Sequence, residues 1–157
     1  MPAMKIKTTL VAFLISAAAA SLCFAGDDVF MGTWKLNEAK SKMTGVAKNT
    51  LVVYTEAGDT VKVAIDGISA DGKAFHSEWT GKFDGKDYPV TGDPANDARS
   101  YTVVNDHTLS FASKKDGKET LSGQIVVAAD GKSRTVTASG TNAKGEKVSQ
   151  MAVYDKQ

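Results

Sequence analysis

The side chains able to do chemistry in this sequence are few. His76 and His107 are its only histidines, and a zinc site or an acid–base pair would need them to converge with each other or with carboxylates. His76 falls on the polar face of an alternating run and His107 follows an Asn105-Asp106 turn signal, so both are expected in solvent. The single cysteine, Cys23, lies in an apolar N-terminal segment, which leaves the body of the chain without a thiolate nucleophile, a thiolate metal site or a disulfide. No Gly-x-Ser-x-Gly elbow occurs, so a serine hydrolase lacks its nucleophile turn. The segment Gly92-Asp93-Pro94-Ala95-Asn96-Asp97 gathers oxygen ligands that could hold calcium, but its spacing is not that of an EF-hand and turn chemistry accounts for these residues equally well. The two arginines are Arg99 and Arg134, and alternation groups Arg134 with Val136 and Ala138, leaving its facing open. These residues form no catalytic constellation. The expectation is a protein that is not an enzyme and holds no metal or cofactor.

What must position any site begins with the N-terminus. Lys5 and Lys7 precede an apolar run from Leu10 to Phe24, and Asp27 and Asp28 follow. The run is shorter than the roughly 20 residues of a bilayer-spanning helix. Its exit, Cys23-Phe24-Ala25, suits cleavage before Gly26. Residues 1–25 are therefore expected to be a secretory signal peptide and 26–157 a single domain, periplasmic or secreted, with no integral membrane span. Lipidation at Cys23 is disfavoured because Leu22 is bulky where a lipobox carries a small residue. With 19 basic and 18 acidic residues and a net charge of +1, the chain lacks the basic footprint of a nucleic-acid binder.

From Val29 onward, short alternating runs are separated by turn signals, and no stretch keeps a helical period. Asp71-Gly72-Lys73, Asp84-Gly85-Lys86, Asp116-Gly117-Lys118 and Asp130-Gly131-Lys132 punctuate the series, as hairpin turns do. About ten strands are expected. On the clearest of them Phe75, Ser77, Trp79, Gly81 and Phe83 share one face, opposite His76, Glu78, Thr80 and Lys82. Tyr101 with Val103, Leu109 with Phe111, and Leu121, Gly123, Ile125 with Val127 repeat the pattern. Consecutive hairpins with one buried face are best satisfied by an all-β, antiparallel up-and-down barrel, because closure removes free edges. A two-sheet sandwich would need longer crossing connections, and the one extended gap is Thr91 to Ala98. Lys62, Asp66, Glu78 and Lys82 would meet lipid in a membrane-embedded barrel, which argues for a water-facing exterior.

Phe30-Met31-Gly32-Thr33-Trp34-Lys35-Leu36 resembles the G-x-W opening of lipocalins and the F-x-G-T-W-K-L opening of intracellular fatty-acid-binding proteins, the calycin barrels. Val153-Tyr154-Asp155-Lys156 is similar to the closing strand of the latter. The run from Gly32 to Lys42, together with Asp84 to Gly92, more specifically resembles small secreted bacterial lipocalin-like proteins. The resemblance implies a lipocalin-like barrel in which Trp34 plugs the closed end. Two departures matter. The helical lid of fatty-acid-binding proteins has no room between Asn37 and Thr50, where only a turn capped by Asn37 is expected. Their Arg-x-Tyr carboxylate clamp also does not carry over, because Ala152 stands two residues before Tyr154.

Barrels of this strand number can enclose one small ligand. Phe75, Trp79, Tyr101 and Phe111 are the candidate lining, since the small or hydroxyl residues Ser77, Gly81, Gly123, Thr135 and Thr137 beside them would leave volume unfilled; the same aromatics could instead form a packed interior. The expected function is non-catalytic binding of a small hydrophobic ligand inside a monomeric barrel. The alternative is an envelope protein-protein interaction or inhibitor module with a filled interior.

Overall fold

The computed structural model describes residues 29–157; the expected signal peptide lies outside the described residues. Ten strands follow one another: β1 (Gly32–Thr44), β2 (Lys48–Ala57), β3 (Thr60–Ile68), β4 (Ala74–Gly81), β5 (Tyr88–Thr91), β6 (Ala98–Asn105), β7 (Thr108–Lys115), β8 (Lys118–Val127), β9 (Ser133–Thr141) and β10 (Lys147–Lys156). Each pairs antiparallel with its sequence neighbours, and β1 closes on β10 through pairs from Trp34↔Lys156 to Thr44↔Ser149. The result is a closed up-and-down barrel, as the alternation and turn spacing predict.

Local chemistry sets this register. The β7–β8 hairpin turns on Asp116 (φ 51°) and Gly117 (φ 76°). Two successive positive φ values make the tight turn whose twist matches the flanking strands. Lys62 pairs with Glu78, Lys82 with Asp59 and Lys114 with Asp87 on the outer face, consistent with a wet exterior. No helix among the described residues is long and apolar enough to cross a membrane.

In place of a lid, β1 bulges against β10 between Asn37 and Lys42. The Asn37 side chain accepts from the Lys40 amide and donates to Asp155, while the Ser41 hydroxyl donates to the Asn37 carbonyl and accepts from the Val153 amide. Three expected facings differ. Thr135 and Thr137 point away from the interior, since Arg134, Val136 and Ala138 are the buried set on β9. Val103 is 42% exposed despite sharing parity with buried Tyr101, because the β6–β7 register shifts between Val103 and Asn105 and a bulge re-aims the strand end.

Candidate ligand-binding cavity

The barrel interior divides into a packed end and a hollow end. At the packed end Trp34 is fully buried and its indole Nε1 donates to the Phe30 carbonyl at 2.9 Å. Phe30, also fully buried, meets Phe83 edge-on. Trp79 stacks on Phe83 and lies edge-on to Tyr88 and Tyr101, with centroids 5.7 and 4.8 Å away. Gly81 makes this possible: a Cβ there would sit 2.5 Å from the Tyr88 ring and 2.7 Å from the Trp79 ring.

Above this layer lies a cavity of about 700 Å³, within the roughly 300–1,000 Å³ range of small-molecule pockets. Its apolar wall includes Val52, Ile65, Phe111, Ile125, Val136 and Val148. Its rim is formed by the connections β1–β2, β3–β4, β5–β6 and β9–β10, all of which reach the same end of the barrel. Of the four expected lining residues, Tyr101 and Phe111 are on this wall. Trp79 and Phe75 are not. Trp79 is committed to the packed end, its Nε1 donating to the Arg99 carbonyl at 2.8 Å. Phe75 lies flat against Gly67, where a Cβ would approach its ring to 2.7 Å. Both point inward, but the neighbouring glycines let their rings lie against the backbone instead of bordering open space.

Both arginines face the interior, and their environments differ. Arg99, at the start of β6 near the mouth, donates from Nε to the Ser113 hydroxyl at 3.0 Å and from Nη2 to Asp93 at 3.2 Å. Asp93 is itself buried, with a side chain 7% exposed. It also accepts from the amides of Ala95 and Asn96 and from the Asn96 side chain. The two Asp93 oxygens thus accept four hydrogen bonds. Asn96 in turn accepts from the Thr120 hydroxyl, tying the β5–β6 connection to β8.

Arg134, on β9 at the foot of the cavity, has no such partner. It is 3% exposed, and its guanidinium carbon lies 4.8 Å from the Trp34 ring centroid and 4.9 Å from those of Tyr54 and Tyr154. Nε and Nη1 have no hydrogen-bond partner among the described residues. Burying an unpaired cation costs several kcal/mol. Each ring contact returns roughly 0.5–2 kcal/mol, so three of them offset a cost of the same order. Burial also keeps the surrounding phenols neutral. Tyr54 is pushed well above the ordinary phenol value by burial and by neighbouring Tyr101, against the pull of Arg134. Burial raises Tyr154 to about 12, again opposed by Arg134. At neutral pH the floor therefore offers one guanidinium and uncharged hydroxyls.

The histidines do not converge. His76 is on the outer face, its Nδ1 2.6 Å from Asp66, and His107 sits against the Val127 carbonyl. No cluster of three or more His, Cys, Asp or Glu side chains is placed to hold a metal among the described residues. The sequence pattern alone did not single out Arg134. The available signal was its parity with Val136 and Ala138, which places it on the buried face of β9.

No protein-family model matches the chain, and no curated protein matches it. Among solved structures it is similar to EF1p2_mFAP2b bound to DFHBI, with 14% identity and a TM-score of 0.47, covering 85% of this chain and 98% of that one. It is also similar to a redesigned β-barrel, mFAP1, bound to DFHBI, at 16% identity and TM-score 0.43, over 84% of this chain and 99% of that one.

Proposed function

We propose that this protein is an exported, non-catalytic binding barrel of the secreted bacterial lipocalin-like kind, which holds one small, largely apolar molecule in its interior. The observation that carries the reading is the cavity of about 700 Å³, open at one end and lined by apolar side chains with a few convergent polar groups, the combination that small-molecule sites share. A filled interior, which the interaction-module alternative requires, does not fit that volume. Export to the periplasm or medium rests on the N-terminal pattern of Lys5, Lys7, the apolar run and Ala25.

Native mass spectrometry of the protein purified from its host's envelope tests the reading. The expected species begins at Gly26 and carries one non-covalent small molecule that is released on denaturation. An empty barrel that also fails to take up a neutral dye such as Nile red overturns the binding function. Recovery of the uncleaved chain from the cytoplasm overturns export.

A further inference from the structure

Arg99 and Arg134 are the two arginines buried in the barrel, and among the described residues a carboxylate pairs with only one. Asp93 neutralises Arg99 at the mouth. The guanidinium of Arg134 is flanked by the rings of Trp34, Tyr54 and Tyr154, and its Nε and Nη1 have no hydrogen-bond partner among the described residues. The carboxylates on the cavity wall, Asp71, Asp93 and Glu146, all belong to the rim connections. A guanidinium remains charged at any pH the fold would meet, and its N–H groups match the oxygens of carboxylates and phosphates.

Building on the binding function above, we infer that Arg134 is an anion anchor: it receives the oxyanion head of an amphiphile whose apolar body lies against Val52, Ile65, Ile125, Val136 and Phe111. The head enters first and the tail points to the mouth. The hydroxyl of Tyr154, uncharged at neutral pH because burial raises it, is available to donate to the same oxygens. The anchor lies on β9, directly opposite Tyr154 of the closing strand. Its arginine thus stands on β9, not two residues before Tyr154, where the chain has Ala152.

Displacement of Nile red by dodecyl compounds that share a tail and differ only in the head tests the anchor: dodecanoate, dodecyl phosphate, dodecanol and dodecyltrimethylammonium. At neutral pH at least one of the two anions is expected to bind tenfold or more tighter than dodecanol, and which one does so identifies the head as carboxylate or phosphate. In Arg134→Met that preference is expected to vanish, with dodecanol affinity unchanged within about twofold. Equal binding of dodecanoate, dodecyl phosphate and dodecanol by the wild-type protein overturns the anchor and leaves the binding cavity standing, as does a preference for the ammonium head or a preference that survives in Arg134→Met. Because the head-group ratio is read on the wild-type chain, it decides the matter even if the variant does not fold. Failure of Nile red and every dodecyl compound to bind overturns the binding function itself.

Discussion

The two ends of this barrel are made by the same alternating strands and by turns of the same kind, yet one is solid and the other hollow. At the packed end the inward positions carry Phe30, Trp34, Trp79 and Phe83, whose rings fill the cross-section, and both indoles donate to backbone carbonyls. At the hollow end they carry Val52, Ile65, Val136 and Val148, too short to meet across the barrel. The buried arginines follow the same divide in reverse: the one at the open mouth is neutralised by Asp93, and the one resting on the packed floor is not. Side-chain volume decides where the space is. The buried guanidinium of Arg134 sets the polarity of its floor.

The largest test strikes the packed end. Trp34→Ala removes a fully buried indole and its bond to Phe30, with an expected loss of roughly 3–5 kcal/mol. That is a large share of the roughly 5–15 kcal/mol that holds a domain together. Urea denaturation of the variant should show either a strongly reduced midpoint or no folded baseline. Wild-type-like unfolding would mean that the floor is not held by this residue, and the division into a solid and a hollow end would lose its basis.

At the mouth the corresponding test is Asp93→Ala. Side chains 8% and 7% exposed form the Arg99–Asp93 pair, and removing one partner strands the other as a buried charge, at an expected cost of about 3 kcal/mol. The loss should be read in the same urea titration. Replacing both partners at once, Asp93→Leu with Arg99→Met, should recover most of it, because no charge is then left unpaired. A single variant as stable as the parent would show that water already solvates Arg99, and the contrast between the two arginines would fail.

Next in size is the response to alkali, which asks how dry the floor is. Tyr154 has its folded value raised from 10.0 to about 12, chiefly by burial. A phenol whose value is raised in the folded state contributes stability that is complete below the unfolded value and is lost as pH climbs through the folded one. Between about pH 10 and 12 the protein should therefore lose on the order of 2–3 kcal/mol from this residue. Ultraviolet absorbance of tyrosinate would show Tyr54 and Tyr154 ionising only with unfolding. Ionisation of both near pH 10 in the folded protein would place bulk water at Arg134 and remove the reason to regard it as uncompensated.

Much of this architecture was legible in the amino-acid order and part of it was not, for reasons visible at single residues. Alternation on β3 and β4, the Asp-Gly turns and the opening Gly32-Thr33-Trp34 specify the barrel because each constrains backbone path locally. Parity also places Phe75, Trp79, Tyr101 and Phe111 inside. It does not report depth or tilt. Gly67 and Gly81, which let Phe75 and Trp79 lie against the wall, act across strands, through the pair Gly67↔Phe75 and the approach of Tyr88 and Trp79 to Gly81. On β9, Ser133-Arg134-Thr135-Val136-Thr137-Ala138 alternates residues of similar size and mixed polarity, so the inward arginine is ambiguous until Trp34, Tyr54 and Tyr154 surround it from three other strands.

The smallest expected effect bears most directly on the difference between the two arginines. Arg134→Met keeps most of the side-chain volume against Trp34, Tyr54 and Tyr154 while removing a charge that no carboxylate compensates. Losing the ring contacts destabilises and losing the desolvated charge stabilises, so the ligand-free variant should fall within about 1 kcal/mol of the parent in either direction. Asp93→Ala, which creates an uncompensated cation at the mouth, should therefore cost more than Arg134→Met, which removes one that the floor already tolerates. A loss above about 3 kcal/mol in Arg134→Met would make the guanidinium a strut of the packed end. A near-neutral result would mean that the guanidinium contributes little to the stability of the empty barrel, as a group that acts on what enters the cavity would.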